Sequence, residues 1–213
     1  METANGSCVV YAVDDQPAML RLLAELIDSI GIRVVTYSSA SDFLAHYLPG
    51  PCECLVSDVR MPGIGGLEFQ RILKERGHTL PMIFITGYAE VGTAVEAMKN
   101  GAFDYIEKPF VHQTFLEMVQ RALERSRVVY AEHSQTRANA ARLALLTPTE
   151  TRILKLLATG KSSKEIAEAL GIGSRTVDNH RGRIMEKLHV NSAVELVLLF
   201  THLRPEAEHA RGH

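Results

Sequence analysis

Four groups of polar side chains in this chain close short apolar runs. Asp14 and Asp15 follow the first run, Asp58 the third and Thr86 the fourth, and Lys108 lies near the end of the fifth. Three carboxylates packed together repel one another, so keeping them ionised calls for a cation. Oxygen-only ligands favour a hard ion, and Mg²⁺ binds through a few carboxylates plus waters and phosphate oxygens. A divalent ion beside Asp58 would neutralise charge on a phosphoryl group attacked by that carboxylate. The Thr86 hydroxyl and the Lys108 ammonium are suited to hold the remaining oxygens. Each residue alone has an ordinary reading as a helix cap, a turn or a surface charge. Their joint placement on four runs points to one phosphoryl-handling site.

The elements that must bring these groups together are legible as alternation. Apolar runs Cys8–Val13, Arg33–Tyr37, Cys54–Ser57, Met82–Thr86 and Ala102–Glu107 are short and rich in Val and Ile, as parallel strands covered on both faces are. Helix patterns fall between them at Pro17–Ser29, Ser41–Tyr47, Gly66–Arg76, Glu90–Asn100 and Gln113–Arg125. Such repetition predicts a doubly wound α/β sheet, in which ligands bind outside the carboxyl ends of the strands. All four groups sit at those ends.

The chain has 213 residues, of which 46% are hydrophobic and 23% charged, enough for two domains with real cores. No apolar run approaches the roughly 20 residues needed to span a bilayer. Residues Met1 to Ser7 lack the basic and apolar stretches of a signal peptide, which favours the cytoplasm. Three cysteines, Cys8, Cys52 and Cys54, are an odd and sparse set that predicts no disulfide framework. The Cys52-x-Cys54 spacing could suit metal or redox chemistry. Cys8 and Cys54, however, begin apolar segments, where a thiol packs as a small hydrophobe.

Charge is unevenly spread. Residues 1–125 carry 10 Lys and Arg against 16 Asp and Glu, whereas residues 146–204 carry 9 against 6. An acidic half joined to a basic half suits a cation-requiring site followed by a polyanion-binding module. From Gln113 to Leu146 there is neither Gly nor Pro, so residues 126–145 read as a linker of helical character, a flexible tether being the alternative.

Thr147-Pro148-Thr149-Glu150 then opens a new domain with a capping box, and its helix ends at Gly160. A second helix, Ser162–Leu170, begins with another box, Ser162 to Glu165. Gly171-Ile172-Gly173 turns the chain, Ser174 caps a third helix to about Leu188, and a fourth spans Ser192–His202. Two helices joined by a glycine turn are the grammar of a helix-turn-helix. On the third helix Val177, Ile184 and Leu188 recur at core spacing, leaving Arg175, Asp178, Asn179, Gly182, Arg183 and Glu186 on other faces. Asn179 suits adenine and Arg183 guanine in the major groove. Asp178 suits cytosine or the exclusion of wrong sites. His180 reads as a packing and positioning residue. The tail after Pro205 is polar.

Asp14-Asp15, Ser57-Asp58-Val59-Arg60-Met61-Pro62-Gly63, Ile85-Thr86-Gly87 and Phe103-Asp104-Tyr105-Ile106-Glu107-Lys108-Pro109-Phe110 resemble a receiver domain of the FixJ/NarL/LuxR superfamily of response regulators. Thr147-Pro148-x-Glu150, Leu156-Leu157-Ala158-x-Gly160, Lys164-Glu165-Ile166-Ala167, Thr176-Val177-x-Asn179-His180 and Lys187-Leu188-x-Val190 resemble its LuxR/GerE-type helix-turn-helix. The resemblance implies a five-stranded flavodoxin/CheY-like sheet in 2-1-3-4-5 order over residues 1–125, a linker at 126–145, an all-α DNA-binding domain at 146–204 and a tail at 205–213.

It further implies that Asp58 accepts phosphate from a sensor histidine kinase, with Thr86 and Lys108 assisting and Asp14, Asp15, Asp58 and the Arg60 backbone carbonyl holding Mg²⁺. Thr86 and Tyr105 would be the switch pair, and Lys108–Pro109 a cis peptide. Lys161, Lys164, Arg175, Thr176 and Lys187 would contact phosphates of double-stranded DNA, beside base readers Asp178, Asn179 and Arg183. The face made by the fourth helix, fifth strand and fifth helix would dimerise on phosphorylation, with Val91, Ala94, Val95 and Met98 as contacts, as would Asn191–Phe200. RNA polymerase is the implied further partner, activation the implied outcome, and turnover as an enzyme is not implied.

Asp178 departs from the pattern, in which basic or apolar residues are frequent. Two rivals remain at this level. A haloacid-dehalogenase-like phosphohydrolase would need a second acid where Arg60 stands, and a constitutive DNA-binding protein with a vestigial receiver would leave the acidic set without use.

Overall fold

The computed structural model describes residues 8–87, 91–192, 195 and 196. The chain divides into two units, one up to Ala131 and one from Glu132. In the first, five strands, β1 (Val9–Val13), β2 (Arg33–Tyr37), β3 (Glu53–Asp58), β4 (Met82–Thr86) and β5 (Asp104–Glu107), form one parallel sheet in the order β2-β1-β3-β4-β5. The interleaved helices are α1 (Pro17–Asp28), α2 (Ala40–His46), α3 (Gly66–Glu75), α4 (Val91–Lys99) and α5 (His112–Leu143). The expected doubly wound sheet is present.

Strand alternation sends side chains to two cores. Val10, Ala12, Cys54, Val56, Ile83 and Ile85 pack with Leu23 and Ile27 of α1 and Phe115 and Val119 of α5. Val13, Leu55, Met82 and Phe84 pack on the other face with Phe43 of α2, Phe69 and Leu73 of α3 and Ala97 of α4. β3 and β4 are buried along their whole length, with apolar residues through Cys54–Val56 and Met82–Ile85 and polar ones kept to the strand ends.

Several boundaries differ from expectation for local reasons. Helix α2 starts earlier, at Ala40, because Ser39 caps it, its side chain accepting from the Asp42 amide at 3.1 Å. β3 begins at Glu53, whose amide donates to Ser126 Oγ at 2.9 Å. β5 begins at Asp104, where pairing with Ile83 starts. Of the stretch 126–145, residues 126–143 belong to α5, a single helix of 32 residues. The cysteine reading needs correction: Cys8 and Cys52 form a disulfide, and only Cys54 is a free buried thiol. Each of the pair stands one residue before β1 or β3, and the register Val9 to Glu53 sets them opposite one another.

The second unit contains α6 (Pro148–Ala158), α7 (Ser163–Leu170) and α8 (Ser174–Leu188) around Ile153, Leu154, Ile166, Val177, Ile184 and Leu188, all fully buried. Both expected capping boxes form. Gly171 ends α7 at φ 67°, a left-handed value that glycine adopts without steric cost. Gly173, not Ser174, is the residue before α8, and Ser174 is its first helical residue. The expected fourth helix, Ser192–His202, with its dimerisation segment, the tail, Met1–Ser7 and Glu90 lie outside the described residues, apart from Asn191, Ser192, Glu195 and Leu196. No helix among the described residues is long and apolar enough to cross a membrane.

Glu150 ties the second unit together. Its buried carboxylate accepts from Lys187 Nζ of α8 at 2.7 Å and from the Thr147 amide at 2.8 Å. The Lys187 contact first, then the Thr147 amide, hold its pKa down at about 2. A carboxyl depressed on folding contributes stability above its ordinary range and loses it as pH falls through the folded value. Glu150→Gln should therefore cost about 1–3 kcal/mol in denaturant unfolding of this unit at neutral pH. That difference should shrink as pH is lowered from about 4.5 towards about 2.

Candidate functional site: an acidic pocket and a helix-turn-helix face

The parallel register assembles the pocket. β1 and β3 run side by side with Val13 opposite Ser57, and β3 and β4 with Asp58 opposite Ile85, so their carboxyl ends finish together. Asp14 follows β1, Asp58 ends β3, Thr86 ends β4 and Lys108 follows β5. One oxygen from each of Asp14, Asp15 and Asp58 lies within 4.8 Å of the others. Lys108 Nζ reaches Asp14 Oδ2 at 3.0 Å and Asp58 Oδ1 at 3.7 Å. Its backbone amide donates to Thr86 O at 2.7 Å, which anchors the ammonium's stem to β4. The Lys108–Pro109 peptide is cis, as the resemblance implied.

Burial sets the electrostatics. Asp14 and Thr86 are each 1% exposed and Asp58 is 6% exposed, while Asp15 is open to solvent. Burial pushes the Asp58 pKa up; Lys108 opposes this, and Asp14 and Asp15 reinforce it. The Val59 amide, donating to Asp58 Oδ1 at 2.9 Å, also favours the ionised form, and the Gln16 amide donates to Asp14 Oδ1 at 2.8 Å. The donor set is therefore three hard oxygens with one internal counter-ion, which leaves net negative charge and fits a divalent cation. Arg60 begins the following loop with its side chain exposed.

Two neighbours complete the description. Tyr105, opposite Phe84 on β5, has a buried hydroxyl that finds no hydrogen-bond partner among the described residues. Gly66 was not anticipated as a site residue. A Cβ there would lie 2.5 Å from Asp58 O and 2.9 Å from Val59 Cα, so only glycine lets α3 start against the end of β3. The Gly65-Gly66 pair at a helix start was the available signal.

In the second unit Lys161, Lys164, Arg175, Thr176, Asp178, Asn179 and Arg183 are exposed, and Val177, Ile184 and Leu188 are inside, as helical spacing required. Lys187 is engaged by Glu150. Asp178 accepts from Ser163 Oγ at 2.7 Å, and Arg181 Nη1 donates to the same hydroxyl at 2.8 Å. These bonds fasten α8 to α7 and direct Asp178 towards its own domain. Nothing in the sequence pattern marked Ser163 for that part.

Comparison with known proteins agrees with both halves. Residues 10–120 match the response regulator receiver domain, and residues 144–200 match the luxR family of bacterial regulatory proteins. The chain belongs to the response regulators that join a receiver domain to a LuxR-type DNA-binding domain. Nodulation protein W of Bradyrhizobium diazoefficiens is 38% identical over 207 residues, spanning 97% of this chain and 91% of that protein. The transcriptional regulatory protein FixJ of the same species is 38% identical over 191 residues, 89% and 93% of the two chains. Among solved structures, the response regulator StyR superposes with a TM-score of 0.84 at 35% identity, covering 92% of this chain and 99% of its own.

The crowded carboxylates yield a prediction. Asp58→Asn removes one of the repelling, desolvated charges, so in chelator it should stabilise the first unit by about 1 kcal/mol, read as a higher thermal midpoint. A raised folded pKa places the wild-type penalty above that pKa and removes it as pH falls into the ordinary aspartate range. The variant's advantage should disappear there. Mg²⁺ should raise the wild-type midpoint and leave that of Asp58→Asn nearly unchanged.

Proposed function

We propose that Asp58 accepts a phosphoryl group from a sensor histidine kinase and that this event controls DNA binding by residues 146–204. The observation that carries the reading is the placement of Lys108 Nζ 3.7 Å from Asp58 Oδ1, inside a carboxylate cluster spanning 4.8 Å. In the transfer, an Asp58 carboxylate oxygen forms the new P–O bond while the donor's N–P bond breaks and the imidazole regains its electron pair. Asp14, Asp15, Asp58 and the Arg60 carbonyl would hold Mg²⁺. When bound, the ion neutralises charge on the transferred oxygens. Lys108 exchanges its contact with Asp58 for one with a phosphoryl oxygen, and the Thr86 hydroxyl donates to another. Asp58 is a phosphoacceptor, with only its own phosphorylation and slow dephosphorylation as chemistry.

Thr86, drawn toward the phosphoryl group, frees space beside β5. Tyr105, whose buried hydroxyl finds no partner among the described residues, turns into that space. The face formed by α4, β5 and α5 changes with it, and exposed Val91, Val95 and Met98 on α4 supply an apolar dimer contact. Dimerisation pairs two helix-turn-helix units on half-sites about one helical turn apart. In this scheme residues 1–125 are the receiver, 126–145 the linker, most of it in α5, and 205–213 a tail. The protein acts in the cytoplasm and activates transcription with RNA polymerase.

On DNA, Lys161, Lys164, Arg175 and Thr176 grip phosphates, while Asn179 and Arg183 read base edges. Lys187 and Asp178, held by Glu150 and Ser163, act at the margin of that face. The reading is tested by selecting bound sequences and measuring particle size with and without acetyl phosphate. A phosphoryl donor should dimerise the wild type and raise its affinity for the selected operator at least tenfold, with Asp58→Asn unresponsive. Equal affinity in all four samples would refute control by phosphorylation.

Gly182 gives a second test. A Cβ there meets nothing within 4 Å, so no internal packing requires glycine in mid-helix. Gly182→Ala should stabilise the unit by up to about 1 kcal/mol, measured by denaturant unfolding. If the backbone approaches DNA at this point, the same change should weaken operator binding. A variant both more stable and equally tight would move the DNA face elsewhere on α8.

A further inference from the structure

The register of β1 with β3 sets Cys8 and Cys52 opposite one another with 4.6 Å between Cα atoms, the ordinary spacing of adjacent strands. The fold itself therefore brings the two sulfurs together, and they are joined. One turn of α5 lies directly over them. Arg127 Nη2 is 3.1 Å from Cys8 Sγ, Cys52 Sγ is 3.7 Å from Leu123 O, and Ser126 Oγ accepts the amide of Glu53, the residue after Cys52. Cys54, within β3, packs against Phe115 and Val119 of α5 as a fully buried free thiol.

We propose that Cys8 and Cys52 form a reversible redox modification site that exchanges with low-molecular-weight disulfides and sets how firmly residues 123–127 of α5 are held against the sheet. The guanidinium of Arg127 favours the thiolate of reduced Cys8, the nucleophilic form. That thiolate attacks a small disulfide RSSR, forming Cys8–S–S–R and expelling RS⁻. The Cys52 thiolate then attacks the Cys8 sulfur, forming the Cys8–Cys52 bond and expelling a second RS⁻. Two electrons pass from the protein dithiol to RSSR, and the two protons given up by the cysteines end on two RSH. Reduction by two RSH is the reverse. Burial pushes the Cys54 thiol pKa up and keeps it out of the exchange.

Cys8 and Cys52 are 7% and 6% exposed, so exchange proceeds through brief opening of the α5 turn above them. Reduction replaces one bonded sulfur pair by two thiols in non-bonded contact, which need more room. In a close-packed interior that demand falls on Leu123 and Arg127. Helix α5 runs on from this turn to Leu143, so the modification acts on the segment that leaves the receiver. The site lies at the opposite end of β3 from Asp58 and would give the regulator a second input.

The test uses the full chain equilibrated in glutathione buffers of graded reduced-to-oxidised ratio. Thiols are counted by alkylation in denaturant with mass detection, and hydrogen exchange is followed across residues 119–131. Oxidising buffer should leave one alkylatable thiol, Cys54, and reducing buffer three. Exchange at residues 123–131 should differ at least threefold between the two wild-type states. The Cys8→Ser/Cys52→Ser variant should show no such difference, while Cys54→Ser retains it. Three alkylatable thiols at every ratio, a lasting glutathione adduct in place of the internal bond, or identical α5 exchange in both states would each overturn the proposal.

Discussion

Like charges buried together are the constraint around which the first unit is organised. Asp14 and Asp58 are nearly inaccessible to water, yet Asp14, Asp15 and Asp58 crowd within 4.8 Å with a single ammonium among them. A fold tolerates such an arrangement only if surrounding packing determines it. Here two apolar cores clamp β1, β3 and β4 from both faces, and the Gly66 close approach locks α3 against the end of β3. The stability generated by burying Val, Ile and Phe side chains offsets an electrostatic cost concentrated at one edge. That edge would consequently favour a cation and a phosphoryl group in the proposed function, because each would relieve what the fold leaves unbalanced.

The second unit solves a different problem. A small helical module has little core, so polar contacts between helices carry more of its definition. Glu150 joins the start of α6 to the end of α8, and Ser163 joins the start of α7 to Asp178 and Arg181. Both contacts involve residues on α8, whose orientation is thus tied down by its own charged side chains, while Arg175, Asn179 and Arg183 take no part in those ties.

Much of this was legible from residue order alone. Strand and helix alternation, the capping boxes and the placement of Asp14, Asp58, Thr86 and Lys108 at strand ends are local signals, and each is written within a few residues of where it acts. What escaped was set by register or by contacts across elements. Cys8 and Cys52 are 44 residues apart, and only the pairing of Val9 with Glu53 makes them neighbours. The Lys187–Glu150 pair and the Asp178–Ser163 bond depend on how helices cross, which periodicity does not report. The start of α2 at Ala40 rather than Ser41 is set by the Ser39 cap, a choice made by local backbone conformation. Function followed the same division: the two-domain response-regulator class was readable from local motifs, whereas the engagement of Asp178 and Lys187 within their own domain was not.

In the proposed function the reactive group of the acidic pocket is the carboxylate of Asp58. That assignment is tested most directly by phosphorylating the protein with acetyl phosphate and Mg²⁺, trapping acyl phosphate with borohydride and mapping the reduced residue by peptide mass. A single homoserine at position 58, lost when Lys108 is replaced by alanine or Mg²⁺ is chelated, is the predicted result. Reduction at Asp14 or Asp15 instead, or no trapped residue under conditions that phosphorylate other receivers, would contradict the account.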